Sequence, residues 1–235
     1  MSSQTYNAVG VRWDLGDLFA SPDDPAIDAT LKSCRARAEA FAGRYRGTIN
    51  APGGPAPEHL LAAILESEGL QGELERVGAY AGLLYSADTT RPENRDLRER
   101  IELALTEIGN LVLFFELEWL GLADEAADRL IRHPTLEGYR HFLHQTRRMR
   151  PHTLSEPEEQ LLSERDNTGP RAFGRLFTEL TTSLTFPLEH DGSLQRLTLS
   201  KILALSHEAD RDLRRRAHEA LFAVLSKQEM VLTFV

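Results

Sequence analysis

Apolar positions recur at helical spacing along most of this chain. Between residues 25 and 46 they fall at Ile27, Leu31, Cys34, Ala38, Phe41 and Tyr45, steps of four and three that place them on one narrow stripe of a helix. Asp24 followed by Pro25 offers an N-cap with proline at the first helical position, and Gly47 ends the pattern. The stretch NAPGGPAP at 50–57 reads as a connection. Leu60, Leu61, Ile64 and Leu65 predict a short second helix ending near Gly69, and Leu74, Val77, Ala81 and Leu84 predict a third. The longest periodic stretch follows, with Leu97, Ile101, Ala104, Ile108, Leu111, Phe115 and Trp119 in register. Thr90 and Glu93 have capping-box spacing before it, and Gly121 stops it.

Beyond residue 121 the pattern predicts helices at about 123–132 and 134–149, broken at His133 and Pro134. Ser155 and Glu158 form a second capping box with Leu161 and Leu162 behind it, and Phe173, Leu176, Phe177 and Leu180 mark a helix after Gly169 and Pro170. Residues 183–199, SLTFPLEHDGSLQRLTL, break the helical period. Two short runs rich in Leu, Phe and Thr flank Asp191 and Gly192, which predicts a β-hairpin. Helix resumes at 199–206 and from 209 to the end, where the pattern runs into Val235 without a cap, the expectation for a piece of a longer protein. The fold class expected is all-α with one small hairpin near 183–199. Two parts are expected: an N-terminal helical subdomain over 1–120, and a second helical part with the hairpin over 121–235.

Composition narrows the function classes. The net charge of −9 argues against duplex nucleic acid as the main partner. A single cysteine, Cys34, excludes an internal disulfide and suits a reducing compartment. Residues 1–20 lack a signal-peptide pattern, and the longest purely apolar run, LVLFF at 111–115, is far too short to span a membrane. These readings place the protein in the cytoplasm, without membrane or nucleic-acid partners.

Four groups of residues carry candidate chemistry. His207 with Glu208, and His218 with Glu219, each begin like the zinc-hydrolase motif H-E-x-x-H, in which two His one turn apart bind one metal and the Glu activates its water. The second His is absent both times: Arg211 and Phe222 stand at those positions. Glu137, His141 and His144 share one face of an expected helix, yet the stretch 129–150 carries six arginines against Glu137 as its one acidic residue, a setting that opposes a cation. Glu116 and Glu118 sit in the apolar segment LVLFFELEWLGL, where a carboxylate must be paired, reach solvent or shift its pKa. His152 precedes a capped helix, which favours a structural hydrogen bond over service as a base. No phosphate-binding loop, nucleophile elbow or CxxC pair is found, and no Glu has a His three residues on. No residue is assigned a catalytic, cofactor-binding or metal role.

Several stretches, in order, resemble one family. VRWDLGDLF at 11–19, AYAGLLYSADTTRPE at 79–93, MRPHTLSEPEEQLLSERDNTG at 149–169 and AFGRLFTELTTSLTFPLEHDGSLQRLTLSKILAL at 172–205 are similar to the N-terminal region of oligoendopeptidase F and its relatives, the M3 family of zinc metallopeptidases. The resemblance implies a mostly helical enzyme of greater length, with two lobes around a channel that admits short peptides. It implies a zinc held by the two His of H-E-x-x-H and a later Glu. This chain departs from the family in lacking those residues. The resemblance therefore implies a non-catalytic lobe that walls the channel, with the catalytic domain of the same protein and short peptides as partners, and zinc as a cofactor of the parent enzyme alone. The alternative is a stand-alone helical binding module derived from such a peptidase.

Overall fold

The computed structural model describes residues 13–190 and 192–234. Val11 and Arg12 of the first family-like stretch, Asp191 of the expected hairpin turn and the terminal Val235 lie outside the described residues. Helices dominate the described residues, which also form one two-stranded antiparallel sheet. The chain divides into two compact units, Met1–Ser163 and Glu164–Val235.

The first unit is built on three long helices: α1 (Pro25–Tyr45), α2 (Pro57–Ala87) and α3 (Pro92–Gly121). Helix α1 starts as its sequence dictates. The Asp24 carboxylate accepts from Ala26 N–H at 2.9 Å, and Pro25 fills the first position without a wasted donor. Its stripe is buried at Ile27, Cys34, Ala38, Phe41 and Tyr45. Gly47, at φ +79°, takes the left-handed conformation that carries the chain out of the helix.

Helix α2 departs from expectation. The two helices anticipated on either side of Gly69 are one continuous 31-residue helix. Glycine within a helix costs about 1 kcal/mol relative to alanine, and packing against α1 and α3 through Leu60, Leu70, Val77 and Tyr80 outweighs that local cost. The capping box expected at Thr90 is also not formed. Thr90 instead directs its N–H (3.0 Å) and its hydroxyl (2.6 Å) to the Asp88 carboxylate, and α3 begins with Arg91 as an N-cap whose side chain makes no capping bond. Buried Asn94 secures the link between the two helices by donating to Leu84 O and Asp88 O.

Helix α4 (Asp124–Ile131) follows. The helix expected over 134–149 is split into a 3-10 segment, Pro134–Tyr139, and α5 (Arg140–Arg147). These elements complete the core around Phe41, Phe114 and Trp119 with Leu130, Leu136 and Leu143, and the Trp119 indole N–H donates to Leu143 O at 3.1 Å. That packing is why residues 121–163 belong with the helices before them. The compact units therefore divide after Ser163, whereas the sequence pattern suggests a division after 120. Helix α6 (Glu156–Thr168) starts at the second capping box, where Glu158 accepts from Ser155 N–H at 2.9 Å and from its hydroxyl at 2.5 Å.

The second unit contains α7 (Pro170–Ser183), the hairpin strands β1 (Phe186–His190) and β2 (Ser193–Leu197), and helices α8 (Leu199–Ala204), α9 (Arg211–Leu225) and α10 (Glu229–Leu232). The hairpin is where the sequence predicts it, with Phe186 opposite Leu197 and His190 opposite Ser193. Gly192 has φ +72°, as the tight turn requires. Phe186, Leu188 and Leu197 pack with Ile202, Leu213, Ala217 and Leu221 in a core of their own. The last helix expected from the sequence is interrupted by a 3-10 turn at Ser226–Gln228.

Candidate functional site

Glu116 and Glu118 lie two residues apart on α3 and therefore point in different directions. Glu118 accepts hydrogen bonds from the backbone of the loop after α1: Gly47 N–H at 2.6 Å, Ile49 N–H at 3.1 Å and Asn50 N–H at 3.4 Å. The pairing expected for it exists, but with backbone amides rather than an arginine. It closes the α1–α2 connection onto the end of α3, a structural task.

Glu116 faces a groove. Residues of α2 (Leu60, Leu70, Leu74), α3 (Leu105, Val112, Leu113, Trp119) and α5 (Phe142, Leu143) form a mostly apolar cavity of about 560 Å³. Size and lining suit a small organic ligand. Gly109 opens the wall on the α3 side, because a β-carbon there would meet nothing within 4 Å. The polar groups in the lining include Ser67, Gln71, Glu75, Glu116 and Thr146. Thr146 spends its hydroxyl on Phe142 O at 3.0 Å. Neither Glu75 nor Glu116 has a hydrogen bond or a cationic partner among the described residues.

Glu116 is exposed to solvent along the rim of this groove. Its pKa is raised above the ordinary 4.5, first because the surrounding walls strip solvent from the charged form, and then because the Glu159 carboxylate adds repulsion. A carboxylate held in this way, beside apolar walls and without a counter-ion, is suited to meeting a cation.

The other sequence candidates do not assemble a centre. His141 and His144 are exposed on α5, whereas Glu137 belongs to the preceding 3-10 segment, so the single helical face assumed for the three is not formed. The arginines around them are engaged. Arg147 bonds Trp119 O at 2.7 Å, Leu122 O at 2.9 Å and Asp124 at 2.5 Å, and Arg150 bonds Asp124 at 2.6 Å. These guanidiniums hold the Asp124 carboxyl below its ordinary pKa. His152 is exposed; its backbone N–H, rather than its ring, makes the structural bond, to Met149 O at 2.8 Å. His218 stacks on Phe222 with ring centroids 4.4 Å apart, so the residue standing at the second-His position of H-E-x-x-H packs on the first. His207 and Glu208 are exposed at the end of a 3-10 turn. Among the described residues no three His, Cys, Asp or Glu side chains are grouped as a metal would need. Cys34 is fully buried, and burial raises its thiol pKa, as for a packed rather than a reactive cysteine.

The stripe of α3 from Leu97 to Trp119 does not mark the groove. A second stripe at 105, 109, 112 and 116, with a glycine among apolar residues and a carboxylate at its end, is the signal that marks it.

Known proteins agree with the fold. A family model described as Oligopeptidase F matches residues 118–186, from the last turn of α3 to the first residue of β1. Group B oligopeptidase PepB of Streptococcus agalactiae serotype III (strain NEM316) is 26% identical over 218 residues, which cover 90% of this chain and 35% of that protein. Oligopeptidase PepF of Bacillus subtilis (strain 168) is 22% identical over 213 residues, 89% of this chain and 31% of that protein. The chain is oligoendopeptidase F-like. It corresponds to an N-terminal region of such proteins and spans about a third of the length of these curated relatives. The crystal structure of oligoendopeptidase-F from Enterococcus faecium shares the fold, with a TM-score of 0.67 at 24% identity over 86% of this chain and 40% of that one. No helix among the described residues is long and apolar enough to cross a membrane.

Proposed function

We propose that this chain is the non-catalytic N-terminal part of an oligoendopeptidase F-like metallopeptidase. It walls the space in which short peptides are cleaved by a catalytic domain of the same protein, in the cytoplasm. The observation that carries the reading is the match over nine-tenths of this chain to about a third of an oligopeptidase, in a sequence that does not contain H-E-x-x-H. Zinc, as the family's Lewis acid, would be held by residues outside this chain. The part played here is shape: long helices closed by α4 and α5 form a stable wall.

Two measurements test the proposal. The chain alone, given short peptides and zinc, is expected neither to hydrolyse the peptides nor to retain the metal; chelator-sensitive hydrolysis by this chain would overturn its non-catalytic role. The gene that carries it is expected to encode H-E-x-x-H downstream, and the full product to cleave short peptides while sparing folded proteins. A gene without that motif would leave the stand-alone binding module as the reading.

A further inference from the structure

We infer that the groove between α2, α3 and α5 is a binding site for a cationic amphiphile, an aromatic or branched aliphatic group that carries a protonated amine. The inference rests on the groove alone and stands whether or not the peptidase reading holds.

Three features converge on that ligand class. The walls are apolar, and Phe142, 52% exposed, adds an aromatic surface beside buried Trp119, whose indole N–H is already committed to Leu143 O. This surface suits a hydrocarbon body and offers it the Phe142 ring as an aromatic contact. The floor is open at Gly109, where the missing side chain leaves room for a ligand rather than for a neighbouring helix. The charge is negative and unanswered, since Glu75 from α2 and Glu116 from α3 line the same cavity without a cation of the protein to neutralise them. Elsewhere in this unit carboxylates pair with nearby arginines, as Glu73 does with Arg37 and Glu66 with Arg44. An anion would be repelled by the two carboxylates, and a neutral ligand seated beside Glu116 would displace water from its carboxylate without replacing the lost interaction. An ammonium group relieves that cost while its apolar body displaces groove water.

The probe is 4-phenylbutylammonium, with 4-phenylbutanol and 4-phenylbutyrate as neutral and anionic controls. The readout is the NMR shift of the Trp119 indole N–H, distinguished from that of Trp13 by Trp13→Phe. The expected result is saturable binding of the amine, with a dissociation constant on the order of 1 mM for a ligand of this size, and at least about tenfold weaker binding of both controls. Glu116→Gln is expected to weaken the amine about tenfold. Gly109→Leu, which fills the open floor and favours helix, is expected to abolish binding with the circular dichroism spectrum unchanged. Glu93→Gln, a charge change outside the groove, is expected to leave binding intact. Equal binding of alcohol and amine, full affinity in Glu116→Gln, retained binding in Gly109→Leu, or no shift in the wild-type protein would each overturn the assignment.

Discussion

Helices α1 and α7 have the same kind of sequence and opposite fates. Each carries apolar residues at steps of three and four. In α1 the stripe is covered, with Cys34 and Ala38 fully buried and Phe41 1% exposed. In α7 the corresponding residues stay open: Phe173 is 47% exposed, Leu176 44% and Phe177 46%, and Thr181 is the residue of that helix that is buried. A hydrophobic period tells which face of a helix would be buried. It does not tell whether anything lies against that face. In the first unit the long helices cover one another, whereas in the second unit the core is drawn from the hairpin, α8 and α9.

The largest test of this contrast is a pair of truncations. Phe41→Ala removes a ring that packs on Tyr45, Phe114 and Phe115 and should lower stability by about 3–5 kcal/mol in denaturant unfolding. Phe177→Ala should stay within about 0.5 kcal/mol. Equal losses would mean that α7 is covered after all. Hydrogen exchange should give the same ranking, with backbone amides of α1 protected far longer than those of α7.

A second comparison sets Glu118 against Glu116. Glu118→Ala strips the acceptor from the loop amides and should cost about 1–3 kcal/mol. Glu116→Gln should cost nothing at pH 7, or stabilise. The reason lies in linkage. The folded pKa of Glu116 is raised above 4.5, so between the two values the native state binds the extra proton. Stability contributed by that proton is present at the acid side and is lost as pH rises through the folded value. The variant should lack this slope when melting temperature is followed against pH. Asp24 supplies the opposite and smallest effect. Its pKa is lowered by the amides of Ala20 and Ala26, so its contribution is present above 3.8 and fades as pH falls through the lower folded value. Asp24→Asn should flatten that acid limb.

The positions legible in the sequence were those set by neighbours along the chain. Asp24 and Pro25 start α1, Gly47 ends it, and Gly192 sits at the hairpin turn, because capping and turn chemistry act over two to four residues. The missing second His after His207 and His218 was equally plain from spacing. The failures share a cause as well. Gly69 does not end a helix, since packing at Leu70 and Val77 supplies more than the glycine costs. Thr90 does not cap α3, since Asp88 competes for its hydroxyl.

What the amino-acid order determined by itself is the helical character of the chain, its hairpin, its acidic charge and the lack of a complete catalytic motif, because all of these depend on composition or short-range spacing. What only the tertiary structure decided is which apolar faces are covered, where the first unit ends, and that Glu75 and Glu116, 41 positions apart, share one apolar groove without a counter-ion. Those outcomes depend on contacts between distant segments, and the free energy of burial and desolvation that fixes them exists only once the helices have packed.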